Sequence, residues 1–246
     1  MPRFGILGAL NMCNAAGSAV PLSSDRCRTL LALLLLRRDE ICSTGELTAG
    51  IWGEQAPCSA RKNLQTYVWR LRRLLGDVGA AQLEHRRTGY ILSVTTGEVD
   101  LDQFEYRAAV GERLLAAGGA EDASAMLGKA LRLWRGQPLS DVLFGERPEG
   151  ELVRLAERRL TVLENRVEAD LACGRGVQVI AELRKLAAEN PYRERLHLQL
   201  MRALSQCDRQ VEALSVFSDI RSLLQREFGL DPGPALQHIR SEILGK

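Results

Sequence analysis

The chain has 246 residues, enough for one large domain or for two of roughly 100–150 residues each. Hydrophobic residues make up 46% and charged residues 26%, which excludes a disordered polyionic tail. The longest apolar run, Leu30 to Leu36, falls far short of the roughly 20 residues that span a bilayer, so no membrane-crossing helix is expected. Aromatics are scarce at 5%, while Leu, Ala and Arg abound, which points to helices.

In chain order, Arg3 is followed by the apolar stretch Phe4 to Leu10, and Leu10-Asn11-Met12-Cys13 carries the Leu and Cys of a lipoprotein cleavage box. Two glycines interrupt that short stretch, and Asn11 and Met12 fill a slot that wants small residues, so it reads as a strand and not as an export signal. Phe4 to Met12 and Ala15 to Leu22 are predicted as two short strands. Ser23, Ser24 and Asp25 offer N-caps for a helix to about Arg38, with Cys27, Leu30, Leu31 and Leu34 at helical spacing. Ser43-Thr44-Gly45-Glu46 has the spacing of a capping box and starts a second helix that ends at Trp52-Gly53. After the linker Glu54 to Pro57, a third helix is predicted from a Ser59 cap to Gly76.

Charge divides unevenly along the chain. Residues 1–97 hold 12 Lys and Arg against 7 Asp and Glu, whereas residues 98–246 hold 21 against 24. The segment Cys58 to Leu75 carries Arg61, Lys62, Arg70, Arg72 and Arg73 and no acid. Such a stripe is the electrostatic footprint of a polyanion partner, with a merely solvated face as the alternative. At 100° per residue, Leu64, Val68, Leu71 and Leu75 form one apolar stripe of the third helix. Lys62, Thr66, Trp69 and Arg73 lie opposite, flanked by Asn63, Gln65 and Arg70, a set of donors and acceptors able to read base edges in a major groove. Trp69 is odd on a solvated surface; packing onto a neighbouring helix or strand is its alternative role.

Gln82 to His85 and Tyr90 to Val94 read as two strands joined around Arg86-Arg87-Thr88-Gly89. Adjacent arginines at a hairpin tip can reach phosphates or a minor groove. Three helices followed by an arginine-tipped hairpin make a winged helix-turn-helix.

The order of Phe4-Gly5-Ile6-Leu7-Gly8-Ala9-Leu10, Leu30 to Leu36, Ile51-Trp52-Gly53, Tyr67 to Gly76 and Thr88-Gly89-Tyr90-Ile91-Leu92 resembles the Streptomyces antibiotic regulatory protein family. Further along, Val99 to Phe104, Ala130 to Leu139, Pro191-Tyr192-Arg193-Glu194 and Phe228 to Gly233 resemble that family's bacterial transcriptional activator domain. The resemblance covers almost the whole chain. It implies a mostly α fold with a small β component: an OmpR/PhoB-type winged helix-turn-helix over residues 1–97, then an all-α, tetratricopeptide-like helical repeat domain over residues 98–246.

It further implies a pathway-specific activator of a secondary-metabolite gene cluster. Two copies would bind direct repeats of double-stranded DNA near a −35 region and recruit RNA polymerase holoenzyme through its σ and α subunits, in the cytoplasm at the nucleoid. The DNA-contact candidates are Arg61, Lys62, Asn63, Gln65, Thr66, Trp69, Arg70 and Arg73 on the third helix, and Arg86, Arg87, Thr88 and Tyr90 in the hairpin. Within the family pattern Arg70 takes the place of a major-groove arginine and Arg86 that of a minor-groove wing arginine. Tyr90 takes that of a wing-base residue that packs and touches a phosphate. Trp69 departs from that pattern, where OmpR/PhoB-type proteins often carry a charge. No receiver domain precedes the first strand, so phosphorelay control is not expected, and no G-x-x-x-x-G-K-[ST] run marks a nucleotide-binding domain.

Beyond Val99, helices are predicted over 101–117, 121–134, 149–173, 177–189, 193–206, 209–227 and 233–244, broken at glycines and prolines. The stripe Leu152, Leu155, Leu160, Leu163 and Val167 reads as core. His85, His197 and His238 are isolated, and no catalytic, metal or cofactor motif appears, so no enzyme, metal or cofactor is expected. Six cysteines (Cys13, Cys27, Cys42, Cys58, Cys173 and Cys207) form no C-x-x-C pair and read as reduced thiols, with redox sensing at Cys42 and Cys58 as an alternative. Two rival functions remain at this level: a protein-binding helical adaptor, and a repressor.

Overall fold

A computed structural model describes residues 2–22 and 24–245. Ser23, one of the three cap candidates, lies outside the described residues. The elements are β1 (Phe4–Gly5), β2 (Asn11–Met12), α1 (Asp25–Leu36), β3 (Ile41–Ser43), α2 (Thr44–Trp52), α3 (Ala60–Val78), β4 (Ala81–Arg86), β5 (Gly89–Val94), α4 (Asp100–Ala116), α5 (Ala120–Leu131), α6 (Glu149–Ala172), α7 (Gly176–Glu189), α8 (Glu194–Gln206), α9 (Gln210–Phe228) and α10 (Pro234–Leu244). They gather into two compact units, residues 1–108 with 129–159, and residues 109–128 with 160–246, so the boundaries fall inside α4, α5 and α6. No described helix is long and apolar enough to cross a membrane.

In the first unit, α1 buries Leu30, Leu31, Ala32, Leu34 and Leu35 against α2 and α3. The capping box predicted at the start of α2 is present: the Ser43 hydroxyl accepts from Glu46 N at 3.1 Å, and Ser43 N donates to the Glu46 carboxylate at 2.8 Å. Such a cap stabilises a helix by about 1 kcal/mol. The helix α3 runs two residues beyond its predicted end at Gly76, because Val78 is drawn into the core and Gly79, at φ 71°, provides the left-handed residue that closes it. Leu64, Val68, Leu71 and Leu75 are buried as the periodicity required.

The hairpin β4–β5 pairs from Ala81↔Val94 to Arg86↔Gly89, leaving Arg87 and Thr88 at its tip. The strand β3, which sequence reasoning missed, adds to the other edge of β5 with Cys42 opposite Tyr90.

The predicted strand Phe4 to Met12 is instead a small hairpin, β1 against β2, with irregular backbone between. The reason is where its polar groups go. Ile6 N and Leu7 N donate to the Asp100 carboxylate at 2.9 and 3.1 Å. The carbonyls of Leu7 and Gly8 accept from Arg135 N and Leu139 N, both at 2.7 Å. With donors and acceptors committed to distant partners, no strand ladder is available there. The predicted strand Ala15 to Leu22 is reduced to a Cys13↔Ala19 bridge over a turn that the Asn14 side chain ties, accepting from Ala16 N and Ser18 N.

The same unit includes residues 139–148, which run along α1 and α2. Gly145 N donates to Gly50 O at 2.8 Å, Glu146 N to Ala49 O at 3.0 Å, and Arg28 pairs with Asp141. The predicted helix 121–134 stops at Leu131: Leu133 N and Trp134 N tighten onto Ala130 O and Leu131 O, and Arg135 N is taken by Leu7 O.

The second unit is all helix. Leu183, Leu196, Leu200, Met201, Leu204, Ala213, Phe217, Ile220, Leu224, Leu236 and Ile243 form its core, and α7, α8, α9 and α10 pack in succession. Charged groups enter that core only with partners. The Glu164 carboxylate, 1% exposed, accepts from Arg193 at 2.6 Å, and Asp170 accepts from Ser124, Arg166 and Arg175. Buried carboxylates without such donors would cost several kcal/mol each, of order 3–5.

Candidate nucleic-acid interface

The 19-residue helix α3 presents two opposed faces. The inner face is the leucine–valine stripe already described. On the outer face Arg61, Lys62, Gln65, Thr66, Trp69, Arg70 and Arg73 are exposed, and Asn63 is half-buried. Among the described residues, Arg61, Lys62, Arg70 and Arg73 form no ion pair, and no acid interrupts the helix before Asp77. Four unneutralised cations on one helix face attract a polyanion and leave their donors free for it. The polar groups between them are lightly held: Asn63 donates to the Ser59 hydroxyl at 3.1 Å, and the Thr66 hydroxyl to Lys62 O at 3.3 Å. Ser59 occupies the cap position of α3 but makes no side-chain bond to the helix backbone.

Arg72 belongs to the same basic run yet does different work. Its Nε donates to Leu83 O in β4 at 2.8 Å, tying α3 to the hairpin. The hairpin is held at its other edge by Thr44 N, which donates to Thr88 O at 3.1 Å, and by Gly89, where a Cβ would run into the Cys42 carbonyl.

At the hairpin tip, Arg86, Arg87 and Thr88 are exposed. Arg86 is paired with Glu84 at 2.8 Å, whereas Arg87 has no ion pair among the described residues. Tyr90 is the exception among the twelve candidates: it is 6% exposed, with its ring edge-on to His85 at 5.2 Å. It packs just behind the hairpin tip, opposite His85.

Trp69 stands 57% exposed, and the Arg73 guanidinium lies over its ring at 5.4 Å. Among the described residues its ring meets no other aromatic ring, unlike Trp52, which meets Tyr67 at 6.0 Å.

Of the two thiols weighed for redox sensing, Cys58 is exposed and Cys42 is buried. All six cysteines are free, and burial pushes the Cys42 thiol above its ordinary value, which depletes the reactive thiolate. No group of three or more His, Cys, Asp or Glu among the described residues could hold a metal ion.

The sequence model of the bacterial transcriptional activator domain matches residues 99–244, and that of the C-terminal domain of transcriptional regulatory proteins matches residues 17–92. The regulatory protein DnrI of Streptomyces peucetius is 36% identical over 252 residues, covering 98% of this chain and 92% of DnrI. The chain belongs to the Streptomyces antibiotic regulatory protein family. Other relatives of this family member are longer. Regulatory protein AfsR of Streptomyces coelicolor is 39% identical over 98% of the chain but only 24% of AfsR. Transcriptional regulatory protein EmbR of Mycobacterium tuberculosis is 37% identical over 98% of the chain and 63% of EmbR, so the chain spans less than two thirds of that relative. The solved structure of Mycobacterium tuberculosis EmbR in complex with a low affinity phosphopeptide superposes with a TM-score of 0.89 at 36% identity, over 98% of this chain and 64% of that one. The fold is therefore the family's: a winged-helix domain and a helical activator domain.

Proposed function

We propose that this regulator is a sequence-specific DNA-binding activator of a secondary-metabolite gene cluster, acting in the cytoplasm at the nucleoid. Residues 1–97 are its DNA-binding domain and residues 98–246 its activator domain. The outer face of α3 enters the major groove, with Arg70 against base edges. Arg61, Lys62, Asn63, Gln65, Thr66 and Arg73 divide base and phosphate contacts between them. Arg87 and Thr88 reach the backbone or minor groove beside it, and Arg86 joins them once released from Glu84. Two copies occupy direct repeats spaced by about one turn, roughly 10–10.5 bp, near a −35 region, and engage RNA polymerase holoenzyme through its σ and α subunits.

The observation that carries this reading is the exposed, unpaired cationic face of α3, set against a leucine stripe that fixes which way the helix points. Selection of duplexes by the purified chain from a randomised pool, followed by gel-shift, tests it directly. A protein-binding adaptor would enrich no sequence. In-vitro transcription from an enriched site with purified polymerase separates activator from repressor, since an activator raises and a repressor lowers the transcript yield.

A further inference from the structure

Every exposed side chain at the centre of the α3 outer face is charged or polar except Trp69. The residue follows Gln65 by one turn and precedes Arg73 by one turn, so it sits among the groups placed to meet bases. Its ring is 57% exposed. On the side toward α1 it borders an open depression of about 280 Å³, lined also by Ser24, Cys27 and Leu74, so the chain does not close over it. Arg73 stacks on it at 5.4 Å, which fixes the ring's orientation and leaves the guanidinium edge free to donate.

An indole has a single donor and no charge, so it answers poorly to phosphate. It gains most from apolar contact. Base edges in the major groove of B-DNA present hydrogen-bonding groups throughout, with one apolar feature, the C5-methyl group of thymine. We propose that Trp69, held in place by Arg73, is a specificity-determining residue that reads thymine through its methyl group. This rests on α3 lying in the major groove, as proposed above.

The test uses the full chain and a duplex enriched from the randomised pool, with each thymine replaced singly by deoxyuracil, which deletes the methyl group and keeps the pairing. At one or two positions the wild-type chain should bind about fourfold more weakly, equivalent to about 0.8 kcal/mol for one buried methyl group. Trp69→Ala should bind the thymine and uracil duplexes equally, and Trp69→Phe should keep part of the preference. Because the ring is exposed, both variants should melt with the wild type. Tolerance of uracil at every position, or an undiminished methyl preference in Trp69→Ala, overturns the role of Trp69 alone. Failure to enrich any duplex overturns the DNA-binding reading and this proposal with it.

Discussion

Asp100→Ala should unfold the first unit far more readily than any substitution on the α3 outer face. The carboxylate is 3% exposed and accepts from Ile6 N, Leu7 N and the Arg135 guanidinium, all between 2.9 and 3.1 Å. Alanine would strand two buried backbone donors, each costing about 1–3 kcal/mol. The freed Arg135 is half-exposed and can turn to water, so its loss adds little. A total of about 3–5 kcal/mol is expected, and Asp100→Asn, which keeps one acceptor oxygen, should lose roughly half of that. All three tryptophans, Trp52, Trp69 and Trp134, lie in this unit, so urea denaturation followed by tryptophan fluorescence reports on it selectively. Burial holds the Asp100 carboxyl above its ordinary value, against the pull of the Ile6 and Leu7 amides and Arg135. The folded chain thus binds that proton more tightly than the unfolded chain does. Its contribution grows as pH falls toward the ordinary carboxylate range and shrinks as pH rises through the folded pKa; Asp100→Asn abolishes the dependence. A loss below about 1 kcal/mol in Asp100→Ala would refute the claim that this carboxylate organises the Ile6–Leu7 backbone.

The capping box titrates in the opposite sense. The Arg37 hydrogen bond, with help from Ser43, holds Glu46 down at about 2, so its contribution is present above about 4.5 and is lost as pH falls toward about 2. Both partners are partly exposed, so solvent screening limits the effect of Glu46→Ala to about 1 kcal/mol in urea titrations at neutral pH. Gly89→Ala should destabilise the hairpin by about 1–3 kcal/mol, because the new Cβ meets the Cys42 carbonyl in the adjoining strand; faster hydrogen exchange across β3 and β5 is the readout. Arg87→Ala should reduce the slope of log affinity against log salt by about 0.9, one phosphate's worth, whereas Arg86→Ala should change it less because Glu84 already neutralises Arg86.

The helices were legible because burial imposes its period on the sequence. Leu64, Val68, Leu71 and Leu75 alone orient α3, and each helix of the second half lies within a few residues of its expected bounds. What escaped notice depends on long-range pairing. The strand β3 is three residues long, has no alternation to announce it, and exists because β5 offers an edge some fifty residues away. The irregular path after Phe4 reflects a carboxylate at Asp100, and the fastening of residues 139–148 to α2 reflects backbone bonds at Gly145 and Glu146, neither of which leaves a local pattern. Within the candidate interface the exposed cations were legible from periodicity. The packing of Tyr90 came from the family resemblance, whereas the diversion of Arg72 to Leu83 O and the pairing of Arg86 with Glu84 were not legible, since each follows from where the hairpin folds back.

The central claim is that one side of α3 recognises base pairs, and Arg70→Ala measured against a full set of single base-pair variants of an enriched duplex tests it most directly. The account expects a loss of about 1–3 kcal/mol on the parent duplex, with discrimination erased at one position and intact at the others. Equal weakening on every variant would make Arg70 a phosphate contact, and unchanged binding throughout would contradict the claim that this face meets DNA.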